Sequence, residues 1–331
     1  MTLVRLSPAA LSRSRFAVSP LTETLGSLMA LDRAGPGPQL ARWHARHQDA
    51  YRKWLRRNEV AAGLVPLVAA TKWLPDLVAL PPADGMRTTM ADELREVERF
   101  TDDQVRDTIT QSVAASWKPQ DTGWLALTGL AARAAAVLEE GWELFVAPDW
   151  PRRRAVLERD IMYRAGLLAA YGWKHAVETM TRKPTWVGEN AIRFSDQHWP
   201  DREVGDEGLV FVPHTAGGGR WLCERGPHCA LVYPARGAGA SAGDQPGDAL
   251  STLLGPGRAT VVRELGTPAT SSQLARVLGV SLGTVSAHLA VLRRSGVVAR
   301  AKLGRTVVYR LTERGEELVA LLADPLADGE G

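Results

Sequence analysis

Two different spacings of apolar residues divide the chain into regions. Up to about residue 180, apolar side chains recur every three to four positions, the period of a helix with one buried face, as at Leu21, Leu25, Leu28 and Met29. From residue 185 to 233 the pattern changes to short apolar runs separated by Gly, Pro and Asp, namely TWV, AIRF, GLVFV, RWLC and CALVY. These patterns predict a helical body over residues 1–180 and a small antiparallel sheet over residues 185–233.

Several residue types mark where the predicted helices begin and end. Ser19 followed by Pro20 is typical of a helix start, because the hydroxyl caps the first turn and proline suits its first position. The periodicity predicts two longer helices over Gly123–Phe145 and Trp150–Tyr171. Gly172 is expected to end the second of them.

A segment rich in Gly, Ala and Ser, residues 234–248, lacks large apolar side chains and is typical of a linker. It separates two predicted domains. The first covers residues 1–233 and is expected to sense a signal or to dimerise. The second covers residues 249–323.

The segment after the linker has the pattern of a winged helix. Thr270 and Gln273 form a capping box ahead of one helix, and a few residues later Ser281 caps a second helix. Two helices joined by such a short turn form a helix-turn-helix, whose second helix enters the major groove of DNA. The run Val297–Lys302, a turn at Leu303-Gly304-Arg305 and the alternating run Thr306–Leu311 predict a hairpin after it. The predicted fold class of the whole chain is therefore α+β.

The second of these helices has one apolar face and one face of short side chains. Val285, Leu289 and Leu292 follow the helical period and are expected to face the core. Short residues opposite them let a helix backbone lie deep in a groove, where polar groups reach base edges or phosphates. With nearby basic residues, this predicts DNA contacts by Ser281, Gly283, Thr284, Ser286, Ala287, His288, Arg293, Arg300, Lys302 and Arg305. For His288, packing of the helix against its own domain is an equally good alternative.

Positive charge is concentrated in the same module. The whole chain has a net charge of +3, whereas residues 256–311 contain nine Arg and Lys residues and a single acid, Glu264. This gives the module a local charge of +8 and leaves −5 for the rest of the chain. The distribution predicts a surface that binds a phosphate backbone.

The run SSQLARVLGVSLGTVSAHLAVLRRSGVVARAKLGRTVVYRLTERG, with GPGRATVVREL before it, resembles the winged helix of the ArsR/SmtB regulators over Ala249–Leu322. The resemblance implies a homodimeric, usually repressing, transcription factor that binds a double-stranded DNA operator. It implies a dimer interface formed by the helix at Ala249–Leu254 and the closing helix at Thr312–Ala323. It also places Ser281, Thr284, Ser286 and His288 on the recognition helix and Gly304-Arg305 in the wing.

The chain departs from that family in two respects. The metal-sensing members carry Cys-x-Cys in the helix before the recognition helix, where this chain has Ser271, Ser272 and Gln273, and its closing helix has no histidine. The usual metal sites are therefore absent, and no cofactor is expected. The long N-terminal extension resembles the uncharacterised N-terminal domain of longer ArsR-type regulators of high-GC bacteria.

Three features of the first domain suggest chemistry, each with a simpler interpretation. Cys223, His228 and Cys229 in CERGPHC, with His214, are the residue types that zinc binds, but two inert cysteines flanking a hairpin turn are the preferred interpretation. The basic helix around Arg42–Arg57 is interpreted as a solvated face, with a second DNA contact as the alternative. Several of the eleven tryptophans could line a pocket for an aromatic or lipophilic effector.

The leading hypothesis is a one-component regulator whose first domain senses a small molecule and whose winged helix binds DNA. The alternatives are a first domain that only dimerises or recruits a partner, or an enzyme fused to a DNA-binding tail. No dinucleotide, P-loop, metalloprotease or nucleophile motif favours the enzyme. The N-terminus lacks the apolar core of a signal peptide and no segment is typical of a membrane span, so a cytoplasmic protein is expected.

Overall fold

Contacts between residues group the chain into two units in the computed structural model, which describes residues 2–33, 40–82, 84–178, 180, 186–195, 200–217, 219–236, 249–303 and 306–323. The first unit consists of Met1–Trp150 and Arg164–Ala235, and the second of Pro151–Tyr163 and Arg236–Gly331. Most of the predicted linker, residues 237–248, lies outside the described residues.

In the described residues of the first unit, one helix lies at the centre of the helical core. The helices described in this unit are α1 (Pro8–Arg13), α2 (Pro20–Asp32), α3 (Ala41–Leu55), α4 (Glu59–Ala69), α5 (Met90–Val97), α6 (Asp102–Ala114), α7 (Leu130–Phe145) and the second half of α8 (Trp150–Glu178). Helix α2 is buried along its whole length from Pro20 to Leu31, the pattern of a helix enclosed on all sides. Its predicted start is confirmed, since the Ser19 hydroxyl accepts a hydrogen bond from the Thr22 N–H at 2.9 Å.

Two glycines shape the longer helices. The predicted helix over Gly123–Phe145 begins only at Leu130, because Gly129 has a left-handed φ of 68° that separates α7 from a short 3-10 turn before it. Gly172 interrupts α8 with a φ of 80°, so the prediction that the helix ends there is confirmed.

The described part of the first unit also contains two four-stranded sheets. One has the strand order β3 (Trp186–Val187), β4 (Ala191–Ser195), β1 (Thr2–Leu6), β5 (Arg202–Val204). The other has the order β2 (Arg15–Phe16), β6 (Leu209–His214), β8 (His228–Pro234), β7 (Trp221–Arg225). The predicted single antiparallel sheet is therefore wrong in detail. The pairs β1–β5, β2–β6 and β6–β8 are parallel, and the N-terminal segment predicted as helical supplies β1 and β2. Their partners lie about 200 residues away in sequence, and local periodicity carries no signal for such pairing.

The second sheet separates the two cores of this unit. One face, including Val210, Val212 and Val232, packs against the helical core around α2, α4 and α7. The other face, including Phe211 and Leu231, packs with residues of β1 and β4. Strand β6 is buried at every position because both of its faces are covered.

The second unit contains the predicted helices and hairpin. These are α9 (Ala249–Leu254), α10 (Pro256–Glu264), α11 (Ser271–Leu278), α12 (Leu282–Arg294), β9 (Val298–Leu303), β10 (Thr306–Leu311) and α13 (Glu313–Ala323). Strands β9 and β10 pair antiparallel. Tyr309 of β10 also exchanges two backbone hydrogen bonds with Ala269, at 2.8 and 2.9 Å, which fixes the hairpin to the segment before α11. The fold class α+β, with a helix-turn-helix at the C-terminal end, is confirmed.

One segment groups differently from the sequence-based division. Residues 1–233 were expected to form one domain, whereas Pro151–Tyr163 of α8 belong to the second unit. Within that unit the Arg152 Nε donates to the carbonyl of Val277 at 2.7 Å, and Arg159 forms an ion pair with Glu264. These contacts join residues more than a hundred positions apart, so the sequence gives no indication of them.

Candidate nucleic-acid interface

The turn between α11 and α12 sets the direction in which α12 projects. Gly279 ends α11 in the left-handed conformation with a φ of 65°, which glycine adopts at little cost. Two residues later Ser281 caps α12 by accepting the Thr284 N–H at 3.1 Å. The two helices are bent by 118° relative to each other, within the range of a helix-turn-helix.

Helix α12 has the two faces that the sequence predicts. Val285, Leu289 and Leu292 are buried in the core of the second unit. On the opposite side the exposed residues include Ser281, Gly283, Thr284, Ser286 and Ala287. This exposed face carries no long side chain between Gly283 and Ala287, so the helix backbone can approach a groove closely.

The first turn of α12 combines polar and apolar groups at the surface. The hydroxyls of Ser281 and Thr284 lie 2.8 Å apart, beside the free N–H groups of the helix N-terminus, a position that favours phosphate. Leu282 is 50% exposed and Val280 is 42% exposed. The apolar periodicity did not predict this exposure, because Leu282 continues the spacing of the buried stripe. Exposed apolar side chains in this turn are suited to contact a thymine methyl group.

His288 lies in a different environment from the other predicted contacts. Its side chain is half-buried, and its Nε2 atom is 2.8 Å from the position that a Cβ on Gly257 would occupy. The imidazole therefore packs over the first turn of α10, which only a residue without a side chain allows. This position favours the packing role among the two alternatives, while a contact with DNA stays a prediction.

The predicted basic contacts lie on α12 and the wing. Arg293 and Arg294 are exposed in the last turn of α12. Arg300 and Lys302 are exposed on β9, and their spacing of two places both side chains on one face of the strand. Arg305, predicted for the wing tip, lies outside the described residues.

The single acid of this module does not reach the surface. The Glu264 side chain is 0% exposed and pairs with Arg159, which is 4% exposed. Burial raises the pKa of the Glu264 carboxyl, and the nearby guanidinium groups of Arg159 and Arg152 counteract that shift. The charge count therefore understates the surface potential, because Glu264 is compensated by a cation from outside residues 256–311. Residues 256–311 consequently present only basic charged side chains to solvent, as far as the structure describes them.

The residues considered for zinc are not brought together. Cys223 faces the helical core, whereas Cys229, one position out of register on the neighbouring strand, faces the opposite side of the sheet. His228 is exposed at the hairpin, and His214 is buried, with its Nε2 atom 2.7 Å from the Gly219 carbonyl. Within the described ranges no three His, Cys, Asp or Glu side chains are placed to hold a metal ion.

Burial also governs the chemistry of these side chains. It raises the pKa of Cys229 to about 12 and the pKa of Cys223 well above its ordinary value. Both thiols are therefore protonated at neutral pH, and the thiolate that a redox sensor needs is not formed. Burial likewise lowers the pKa of His214, an effect that Glu23 partly offsets.

Comparison with known protein families supports the assignment of the C-terminal elements. Residues 253–301 match the family model of a helix-turn-helix domain. The match runs from the end of α9 to the middle of β9, so it contains both α11 and α12. Comparison with curated proteins and with solved structures finds no match in either set. The helix-turn-helix domain is thus the part of the chain whose kind is established by both geometry and similarity.

No single helix in the described ranges is long and apolar enough to cross a membrane. Helices α11 and α12 reach that length and apolarity only together, as a pair bent by 118°.

Proposed function

We propose that this protein is a sequence-specific transcriptional regulator of the ArsR type, a homodimeric one-component repressor that is not an enzyme. The observation that carries the proposal is α12 itself. It presents a face of small residues, Gly283 to Ala287, flanked by exposed Arg293 and Arg300. This combination suits a helix that enters the major groove while cations on either side neutralise phosphates.

Two exposed leucines support the dimer. Helix α9 packs against α10 and α13, yet Leu253 on α9 is 61% exposed and Leu321 on α13 is 76% exposed. Burying a leucine side chain contributes about 1.5–3 kcal/mol, so a second copy that covers both would be stabilised. These are the two helices that the family resemblance assigns to the interface. A two-fold dimer would present two copies of α12 to half-sites about 34–36 Å apart.

The first unit is assigned the sensing role. Its size exceeds what dimerisation of a winged helix requires, and it contains a cavity among aromatic side chains. The dimer would have two states that differ in the spacing of the recognition helices, and only one of them would fit the operator. A ligand that binds one state more tightly than the other would change the affinity for the operator by at most that difference in binding free energy.

Operator binding is the experiment that tests this function. The full chain is used to select a duplex from a random-sequence library, and its affinity is then compared with that of a scrambled duplex over a range of salt concentrations. We expect selective binding with a steep salt dependence. Thr284→Ala should lower the preference for the selected duplex by about 1–3 kcal/mol, the range of one base contact. Lys118→Gln is the control, because Lys118 is an exposed cation of the first unit that lies outside the basic helix around Arg42–Arg57.

Three outcomes separate the candidate functions. Equal binding to both duplexes, or full selectivity in Thr284→Ala, would contradict the recognition-helix assignment. Selective binding that no small molecule alters would favour a first unit that only dimerises or recruits a partner. Turnover of a bound small molecule would favour the enzyme.

A further inference from the structure

A cavity of about 300 Å³ opens within the first unit, between the end of α2, the segment at residues 71–79 and strands β4 and β7. Protein interiors are close-packed, and voids larger than a water molecule are few. The volume lies at the lower end of the range for small-molecule sites, about 300–1,000 Å³. It therefore suits a ligand of one or two rings.

Four aromatic rings line the walls of this cavity. They are those of Trp73, Trp117, Trp221 and Phe194. Trp221 is buried at 8% exposure, whereas Trp117 lines the cavity and is 55% exposed. A tryptophan side chain is usually buried to a larger extent in a folded protein. A planar ligand stacked on the Trp117 ring would cover its exposed surface.

The charged residues around the cavity give it a positive excess. Four cations line it, Arg33, Lys72, Arg202 and Arg220, against two acids, Asp76 and Glu224. Arg202 is committed within the wall, since its Nε atom lies 2.9 Å from Glu224 and its guanidinium lies 5.5 Å from the Trp73 ring centre. Arg33 and Lys72 are exposed, and neither side chain has an ion-pair partner in the part of the chain that is described.

From this arrangement we infer that the cavity binds a small planar aromatic carboxylate. The ring would lie against Trp117 and Trp73, and the carboxylate would point to Lys72 and Arg33. Cations at the mouth of the cavity that lack an ion-pair partner among the described residues favour an anionic group on the ligand, and the aromatic walls favour a planar ring. A ligand with both groups gains charge-assisted hydrogen bonds from the first and stacking contacts from the second. The claim that this ligand is the effector rests on the proposed function. The claim that the cavity binds it is independent of that function.

The binding test uses the full chain without DNA, titrated by calorimetry with 2-naphthoate, benzoate and indole-3-carboxylate at fixed ionic strength. We expect saturable binding of one molecule per chain by at least one of them. Uncharged 2-naphthamide and non-aromatic cyclohexanecarboxylate should bind at least tenfold more weakly. Lys72→Gln and Trp117→Leu should each weaken binding about tenfold. Both side chains are exposed, so the fold is retained.

Matched controls are Lys53→Gln for the charge and Tyr171→Leu for the exposed ring, since Tyr171 is 68% exposed and does not line the cavity. The inference is overturned if none of the three carboxylates binds, or if Lys72→Gln and Trp117→Leu bind as tightly as these controls. A protein that fails to bind them but still selects its duplex loses this inference and keeps the proposed DNA function. A protein that binds 2-naphthoate but shows no selective DNA binding loses the proposed function alone.

The regulatory part of the inference has its own readout. A carboxylate concentration just sufficient to saturate the unaltered chain should change its affinity for the selected duplex at least fivefold. The change should be smaller in Trp117→Leu, because that variant binds less ligand at the same concentration, and a tenfold higher concentration should restore it. Binding without any change in duplex affinity would contradict the effector role.

Discussion

Arg159 and Glu264 form an ion pair inside the second unit, with side chains that are 4% and 0% exposed. Removing two charges from water costs several kcal/mol per ion, which their attraction and hydrogen bonds must offset. The pair has two consequences. It joins Pro151–Tyr163 to the helix-turn-helix domain, and it removes the single acid of residues 256–311 from the surface.

Breaking this pair on one side should be costly. Arg159→Met leaves the buried Glu264 carboxylate without its ion-pair partner, so we expect it to lower the stability of α10 and α12 by about 3–5 kcal/mol. The measurement is the hydrogen-exchange protection of amides in α10 and α12, which reports this unit alone. Replacing both residues with Met and Leu should restore most of the protection.

Arg154→Met is the matched control, because Arg154 pairs with Glu158 at 2.8 Å on the same segment but both side chains are partly exposed. We expect a loss of about 0–1 kcal/mol there. Equal losses for Arg154→Met and Arg159→Met would show that the buried pair does not hold the segment.

The wing cations should determine part of the salt dependence. Arg300→Gln and Lys302→Gln should each reduce the slope of log K against log salt concentration by about 1, because each removes one phosphate contact. The loss of affinity should be similar for the selected and the scrambled duplex. Binding of both duplexes across four salt concentrations measures the slope, with Lys118→Gln as control. An unchanged slope would place the wing away from the phosphates.

His288 offers a test of packing against DNA contact. If the imidazole mainly packs over Gly257, His288→Ala should lower the free energy of unfolding by about 1 kcal/mol. It should also reduce the preference for the selected duplex less than Thr284→Ala does. Gly257→Ala should displace the ring, because the new Cβ would lie 2.8 Å from Nε2. Thermal unfolding followed by circular dichroism, with duplex titration in parallel, distinguishes the roles. A loss of selectivity equal to that of Thr284→Ala would assign His288 to the bases.

The exposed leucines should govern self-association. Leu321→Glu and Leu253→Glu would each place a charge in the proposed interface, so we expect them to shift sedimentation equilibrium from dimer to monomer. Leu144→Glu is the control, since Leu144 is 47% exposed on α7 of the first unit. A dimer that persists in both interface variants would place the contact elsewhere.

Glu93 should make the first unit less stable as pH rises. Its carboxyl is buried and accepts hydrogen bonds from the Ser19 hydroxyl at 2.5 Å and the Leu21 N–H at 2.7 Å. Burial raises its pKa from 4.5 to about 8, despite those bonds. Between these values the folded state holds a proton that the unfolded state has lost. Stability is therefore full below pH 4.5 and falls toward pH 8, with a slope of at most about 1.4 kcal/mol per pH unit.

Glu93→Gln should flatten this pH dependence, because the amide stays neutral and keeps the same shape. Urea unfolding followed by tryptophan fluorescence at pH 5, 6, 7 and 8 measures it, since all eleven tryptophans lie in the ranges of the first unit. Exposed Glu139→Gln is the control. A slope that Glu93→Gln leaves intact would assign the pH dependence to another group.

The sequence by itself determined the helix-turn-helix domain. Its signals are local: the capping residues Thr270 and Ser281 and an apolar stripe with period 3.6 all act within one or two turns. Each of these was found in the structure where the sequence predicts it. The small exposed face of α12 follows from the same period, because residues that do not face the core must face away from it.

Only the tertiary structure decided the remaining features, because each depends on residues that are distant in the chain. The N-terminal strand β1 pairs with β4 and β5 about 200 residues later. Cys223 and Cys229 lie on opposite faces of a sheet because of a one-residue offset in strand register. The sequence alone gives Glu264 as one negative charge of the DNA-binding module, and only the structure shows that it is buried and paired with Arg159. Local sequence reports hydrogen bonds and burial within a helix or strand, whereas strand partners and buried ion pairs are chosen by packing of the whole unit.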